Sequence, residues 1–310
     1  MAELQNQFSW SRSRDNAFRD CRRRYWIHYY GSWGGWERGA PPSVRQAYLL
    51  KQVASRHQWV GQEVHERVRM CLKMLKAGQT PELEAQMNSL VETMRRRFAE
   101  SRKGDWVHNP KRILRLFEHE YAFSIHDEKW VELREHAKDC MRGFFESPYF
   151  ELAKGLSADR WLAVEDLDQF DLEGTPVWVA LDFAFRREDG GCTIVDWKTG
   201  RSDDPSDHIL QMHIYAMHAH QKWGVPFEQI HIVAYSLARK HGDELRVEAD
   251  GLARSRTAIL ESIAAMTGAL ADGDAARNEA REDDFPMTDD RQACKWCQFR
   301  GICWPEGGPD

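Results

Sequence analysis

No apolar run in the sequence approaches the ~20 residues a membrane-spanning helix needs, and no repeat of fixed period or long low-complexity segment is present. A spanning helix and a repeat architecture are thereby excluded. The first twenty residues, MAELQNQFSWSRSRDNAFRD, lack the apolar core of a secretory signal. A cytoplasmic protein with no membrane partner is therefore expected, its seven cysteines reduced rather than paired. A surplus of positive charge is also missing: 43 Lys and Arg face 49 Asp and Glu, a net charge of −6. Indiscriminate coating of nucleic acid is excluded, but a local basic groove is not. No helicase-type phosphate loop occurs, so the chain carries no motor of its own.

What is present begins with size. At 310 residues and 42% hydrophobic content, the chain can bury a substantial core. Thirteen tryptophans are many; most are expected as core or loop anchors, and some are available to stack on unpaired bases. Two arginine triplets, Arg22, Arg23, Arg24 and Arg95, Arg96, Arg97, are candidate basic patches, with solvated helix faces as the plainer reading. Apolar residues recur at helical spacing over 43–77, 82–102, 109–122 and 130–145. The pattern then shortens. WLAVEDLDQFDL, PVWVALDFAFRRE and GCTIVDWKTG are β-rich and separated by EGTP and EDGG, which predicts three consecutive strands. A helix over PSDHILQMHIYAMHAHQKWG, strands at QIHIVAYSLA and ELRVEA, and a helix over 252–270 follow. The fold class is α/β: a core preceded by a mostly helical half and closed by a cysteine-rich tail.

The third strand ends in IVDWKTG. Alternate residues share a face, so Asp196 and Lys198 project together and Trp197 points away. Asp182, in VALDFAF, is an acid among apolar neighbours, which is costly unless it is paired or binds a cation. If the two strands are hairpin neighbours, Asp182 and Asp196 converge beside Lys198. Close carboxylates repel, and a divalent cation relieves that. Oxygen ligands favour Mg²⁺ or Mn²⁺, which polarise a phosphodiester and acidify an attacking water; Lys198 would serve that water or the developing charge. The plainer reading of Asp-x-Lys is a surface ion pair. Gln211 and Tyr215, four apart on the following helix, are placed to contact DNA or to position Lys198. Gly61 and His65 are likewise four apart on a long helix, and His65 is a candidate imidazole ligand. His208, His213, His218 and His220 read as a polar helix face with no metal.

Gly61-x-x-x-His65, Asp182, Asp196-x-Lys198 and Gln211-x-x-x-Tyr215 stand in the order of RecB-like nucleases of the PD-(D/E)XK superfamily, which the chain resembles over residues 9–304. Glu165 looks like the acid that this family often carries one strand earlier. The cysteines extend the likeness: Cys294, Cys297 and Cys303 have a C-x2-C-x5-C spacing, and Cys21 follows a serine-rich lead-in. The pattern is similar to the AddB-type nuclease domain, to exonuclease V and to the CRISPR-associated nucleases of spacer acquisition. One departure is Val179, where the family often has glycine. The resemblance implies a restriction-endonuclease-like core, a mixed sheet flanked by helices, over 159–275. It places a helical region at 1–158 and an iron–sulfur tail at 276–310. It implies a 4Fe–4S cluster on Cys21, Cys294, Cys297 and Cys303, although by chemistry alone four thiolates also suit zinc. It implies Mg²⁺ or Mn²⁺ on His65, Asp182 and Asp196, with Lys198, Glu165, Gln211 and Tyr215 completing a catalytic set. The expected activity is metal-dependent hydrolysis of DNA, single-stranded or at ends, in repair, recombination or defence, with a helicase or integrase as possible partner. Two other classes stay open: a silent iron–sulfur scaffold that binds nucleic acid, and a zinc-stapled protein without that role. Cys71, Cys140 and Cys192 are assigned to packing.

Overall fold

Five strands form one mixed sheet in the order β1-β2-β3-β4-β5. They are β1 (Trp161–Leu172), β2 (Thr175–Arg186), β3 (Cys192–Lys198), β4 (Ile230–Ser236) and β5 (His241–Arg246). The computed structural model describes residues 5–200 and 205–305; the last five residues of the expected tail lie outside these. β1 and β2 form a hairpin closed by Glu173 and Gly174, both at positive φ (51° and 83°), the geometry whose twist matches that of the flanking strands. β2 and β3 are antiparallel, β3 and β4 parallel, β4 and β5 antiparallel. The parallel pair requires a crossover, which the helix after β3 supplies.

Twelve α-helices stand among the described residues: α1 (Arg12–Asp20), α2 (Arg22–Trp26), α3 (Pro42–Leu50), α4 (Arg56–Lys76), α5 (Leu83–Lys103), α6 (Phe117–Glu120), α7 (Asp127–Phe145), α8 (Pro148–Lys154), α9 (Pro205–Trp223), α10 (Ala249–Thr267), α11 (Arg291–Lys295) and α12 (Arg300–Cys303). No described helix is long and apolar enough to cross a membrane. Two helical expectations are corrected, and one interaction corrects both. The stretch 43–77 is two helices, because Ala54 is extended and bridges Leu116. The Ala54 N–H donates to Arg115 O (3.1 Å), and the Phe117 N–H to Ala54 O (2.8 Å). That pairing also holds 115–116 extended, so only four residues of the expected helix 109–122, those of α6, are α-helical. Ser55 then restarts the chain as the N-cap of α4 in a reciprocal box with Gln58.

Each face of the sheet carries a core. One, beneath α9 and α10, holds Ile194, Ile232, Leu181, Val179, Ile214, Ile259 and Met266, together with Trp10, Phe18 and Tyr25 from the N-terminal segment. The other, beneath α4, α7 and α8, holds Val64, Val68, Leu72, Met141, Phe144, Phe183, Val195 and Trp197. Val179, at the position where glycine is common in the resembling family, is an ordinary member of the first core. The chain's two ends meet. The indole of Trp10 donates to Ser262 Oγ (3.0 Å), and Trp26 Nε1 to Ala280 O (3.0 Å). The Arg23 N–H donates to Pro286 O (3.0 Å), and its side chain reaches Phe285 O and Glu282. A third cluster of Ile27, Leu50, Trp106, Phe117 and Phe299 has Cys297 and Cys303 packed against it.

Candidate metal and catalytic centre

The acid pair sits where the pleat of the β1–β2 hairpin slips. Ala163 and Ala184 face the first core, Val164 and Phe183 the second. Strict alternation would continue so. Beyond Glu165 and Asp182, however, Phe170, Leu172, Leu181, Val179 and Val177 all face the first core, so both strands have shifted by one residue. Register is preserved across the slip, with Val164 opposite Phe183 and Asp166 opposite Leu181. Glu165 adopts φ 50°, the left-handed region that residues with a Cβ seldom occupy. Asp166 Oδ2 accepts the Val164 N–H (3.1 Å) and closes the kink. Such conformations persist only where surrounding contacts hold them, and they cluster at working sites.

His65 reaches this pair from α4. A Cβ at Gly61, one turn earlier, would lie 3.1 Å from Thr199 Oγ1, so glycine allows the helix its close approach to the end of β3. His65 Nδ1 is 3.1 Å from Glu165 Oε1 and 3.5 Å from Asp182 Oδ1. The ligand atoms of His65, Glu165 and Asp182 all lie within 4.8 Å of one another. Asp196 stands outside that close group and Glu165 inside it.

Asp182 also links this cluster to the other face. The β2–β3 ladder ends at Phe183 and Val195, and Asp182 Oδ2 accepts the Trp197 N–H (2.7 Å) beyond it. Asp196 and Lys198 project toward α9 while Trp197 enters the opposite core, as alternation predicts. There a closed ring forms. Tyr215 Oη donates to Asp196 Oδ1 (2.9 Å), Gln211 Nε2 to Tyr215 Oη (2.6 Å), and Lys198 Nζ to Gln211 Oε1 (3.1 Å). Asp196 Oδ2 lies 2.5 Å from Lys198 Nζ, an ion pair without hydrogen-bond alignment, so this buried oxygen has no hydrogen-bond partner. Tyr215 is buried rather than on an exposed polar edge.

Charge is unbalanced here. Burial lowers the pKa of His65, but hydrogen bonds to Asp182 and Glu165 and their charges outweigh it, and the imidazole is raised to about 10. Its proton holds two carboxylates together. Burial raises Asp196 and the charge of Asp182 raises it further, against the pull of Lys198 and Tyr215. Burial, then Asp196 and Asp182, hold the Tyr215 hydroxyl well above its usual range, so it stays protonated and keeps a proton to donate to Asp196. Two carboxylates and an imidazole at ligand spacing fit a hard divalent cation.

Sequence reasoning missed Thr199 and His136. Thr199 packs against Gly61, and His136 Nε2 is 2.6 Å from Thr199 O, fixing the chain just beyond Lys198; the TG after the lysine was the available signal. Other expectations are corrected. His213 and His218 are buried, against Ser255 and Asp168, while His208 is half-buried and His220 exposed, so the four histidines of α9 do not make one polar face. Arg23 and Arg97 are tied to Glu282 and to the buried Glu63, which makes them structural links rather than a free basic groove. Cys71, Cys140 and Cys192 are buried in the cores.

At the far end, Cys21 Sγ caps α2 by accepting the Arg24 N–H (3.4 Å). Burial raises the thiols of Cys294, Cys297 and Cys303, the last to about 12, and each is also raised by the nearby charge of Cys21. Cys294, Cys297 and Cys303 are thus held as neutral thiols near Cys21, and a metal centre would favour their ionised form.

The chain matches no curated protein sequence. A family model described as the PD-(D/E)XK nuclease superfamily matches residues 9–304, a span that takes in every site residue above. The chain belongs to the PD-(D/E)XK nuclease superfamily.

Proposed function

We propose that this protein is a metal-dependent nuclease that hydrolyses DNA phosphodiesters, acting on single strands or ends. The observation that carries this reading is the approach of His65, Glu165 and Asp182 within 4.8 Å, joined through Asp182 and Trp197 to the Asp196–Lys198–Gln211–Tyr215 ring. His65, Glu165 and Asp182 would hold Mg²⁺ or Mn²⁺, with Asp196 turned toward the lysine. When bound, the ion supplies charge to the scissile phosphate and lowers the pKa of the attacking water. Lys198 orients that water and stabilises the charge that develops on phosphorus oxygens. Gln211 and Tyr215 fix the amine and the Asp196 carboxylate, so little reorganisation is needed at the moment of attack. The core 159–275 would do the chemistry, with 1–158 supplying His65 and a surface for DNA.

The reading extends to a 4Fe–4S cluster on Cys21, Cys294, Cys297 and Cys303, holding the ends of the chain in the tail 276–310, and to a helicase or integrase as partner. The choice of iron over zinc rests on the likeness of the C-x2-C-x5-C spacing with a distant Cys21, since four thiolates by themselves also suit zinc. Cleavage of end-labelled single- and double-stranded DNA with Mn²⁺, Mg²⁺ or EDTA tests the activity. Metal-dependent products are expected, and intact DNA under every condition would remove the proposal. Iron rather than zinc in the purified protein tests the cluster separately.

A further inference from the structure

Outside this centre, α3 and the loop before it carry a second constellation. A single π-helical turn (Ile27–Gly31) leads into SWGGWERG. There Trp33 and Trp36 are 38% and 37% exposed, edge to face at 5.1 Å. Gly34, at φ 79°, makes the turn between them. Trp36 leans on Tyr48 of α3 (6.1 Å), and Arg45 lies over Tyr48 (5.6 Å) while its guanidinium donates to Gly35 O (3.0 Å) and Val107 O (2.8 Å). The indoles are thus held on a clamped loop. One helical turn beyond Tyr48 stands Lys51, whose Nζ lies over the Tyr29 ring (5.6 Å) that also receives the Arg14 guanidinium (4.3 Å). Arg14 is 6% exposed and its Nε has no hydrogen-bond partner. Among the described residues no carboxylate pairs with Arg14 or Lys51. Burial, then Arg14 and Lys111, lower Lys51 to about 8, as expected of a cation surrounded by cations. Glu37 and Arg38, exposed side by side, cancel within the loop.

We propose that this face binds unpaired nucleic acid, the bases stacking on Trp33 and Trp36 and a backbone phosphate sitting at Lys51 with Arg14 behind it. Clustered cations without a counter-charge favour an anion, and adjacent exposed indoles offer faces that any base can use. The choice of occupant rests on the nuclease reading; the surface itself does not use the metal centre. It would hold a strand while the distant end is cut.

Fluorescence anisotropy of a labelled oligothymidylate, in EDTA so that no cleavage occurs, tests this. Trp33→Ala with Trp36→Ala should weaken binding about tenfold or more. Lys51→Gln should weaken it about tenfold and reduce the salt slope by about 0.7. Lys51→Gln should also leave Tm equal or higher, since it removes a repelled charge. Affinities within twofold of the parent, equal binding of a blunt duplex, or a fall in Tm with Lys51→Gln would overturn the proposal. Cleavage of a dinucleotide in Mn²⁺, which has no bases to spare for this face, should be unaffected in these variants. A parent protein that binds the oligonucleotide yet cuts nothing would defeat the nuclease reading and leave this surface standing.

Discussion

His65 and His28 are both enclosed by the fold, and their imidazoles are moved in opposite directions. Burial lowers each. At His65, hydrogen bonds to Asp182 and Glu165 reverse that and raise it to about 10. At His28, Lys51, Arg24 and Arg14 reinforce burial and lower it to about 3. The same side chain therefore reports two regions of opposite excess charge. The centre at the end of β3 keeps more negative charge than its own residues neutralise, a state that favours a cation. The region around α2 and α3 keeps more positive charge than it neutralises, a state that favours an anion. Folded proteins ordinarily pair buried charge, so an imbalance retained at two places is a cost that a ligand at each would offset.

The comparison breaks most completely if the negative excess is removed. Asp182→Asn should reduce cleavage by about 10³-fold or more and abolish Mn²⁺ binding measured by calorimetry, because Asp182 serves both the ligand group and the Trp197 N–H. Full Mn²⁺ affinity in that variant would show that the carboxylates do not form the cation site. Lys198→Met should be the next largest, reducing cleavage about 10²- to 10³-fold. It should leave Mn²⁺ affinity unchanged, since Lys198 contacts Asp196 and Gln211 and none of the close ligand group. Equal loss of binding and cleavage would merge the two faces into one function. Tyr215→Phe removes one donor from Asp196, and about a tenfold fall in kcat at unchanged Mn²⁺ affinity is expected.

The three strands and their turns were legible because EGTP and EDGG interrupt β-rich runs, and Asp196 and Lys198 shared a face because β3 alternates regularly. Glu165 was named from resemblance, but its membership of the close group was not legible. It depends on the one-residue slip of both strands, and nothing in LAVED or ALDFA announces a left-handed glutamate. Without the slip, alternation makes Asp196 the natural partner of Asp182. The break at 51–55 hid behind continuous helical spacing, although Ser55 and Gln58 carried a capping signal that could have located it. His213 and His218 were misread because a crossover helix under α10 is covered on two sides, so polar spacing does not mean exposure there. Lys51 and Arg14 are far apart in sequence, and only the fold brings both onto Tyr29.

The smallest effect sharpens the comparison by pH, in metal-free protein. His28 is lower in the folded chain than its usual 6.5, so the unfolded chain takes the proton first. Stability is then full above about pH 6.5 and is lost as pH falls toward 3, by about 1–2 kcal/mol at pH 5. His65 is higher in the folded chain, so its contribution is full below about pH 6.5 and is lost as pH rises toward 10. Denaturant midpoints should therefore peak near neutrality. His28→Asn should flatten the acid limb alone and His65→Asn the alkaline limb alone. If His28→Asn left the acid limb unchanged, the positive region would not be holding that imidazole neutral, and the contrast between the two histidines would lose its basic half.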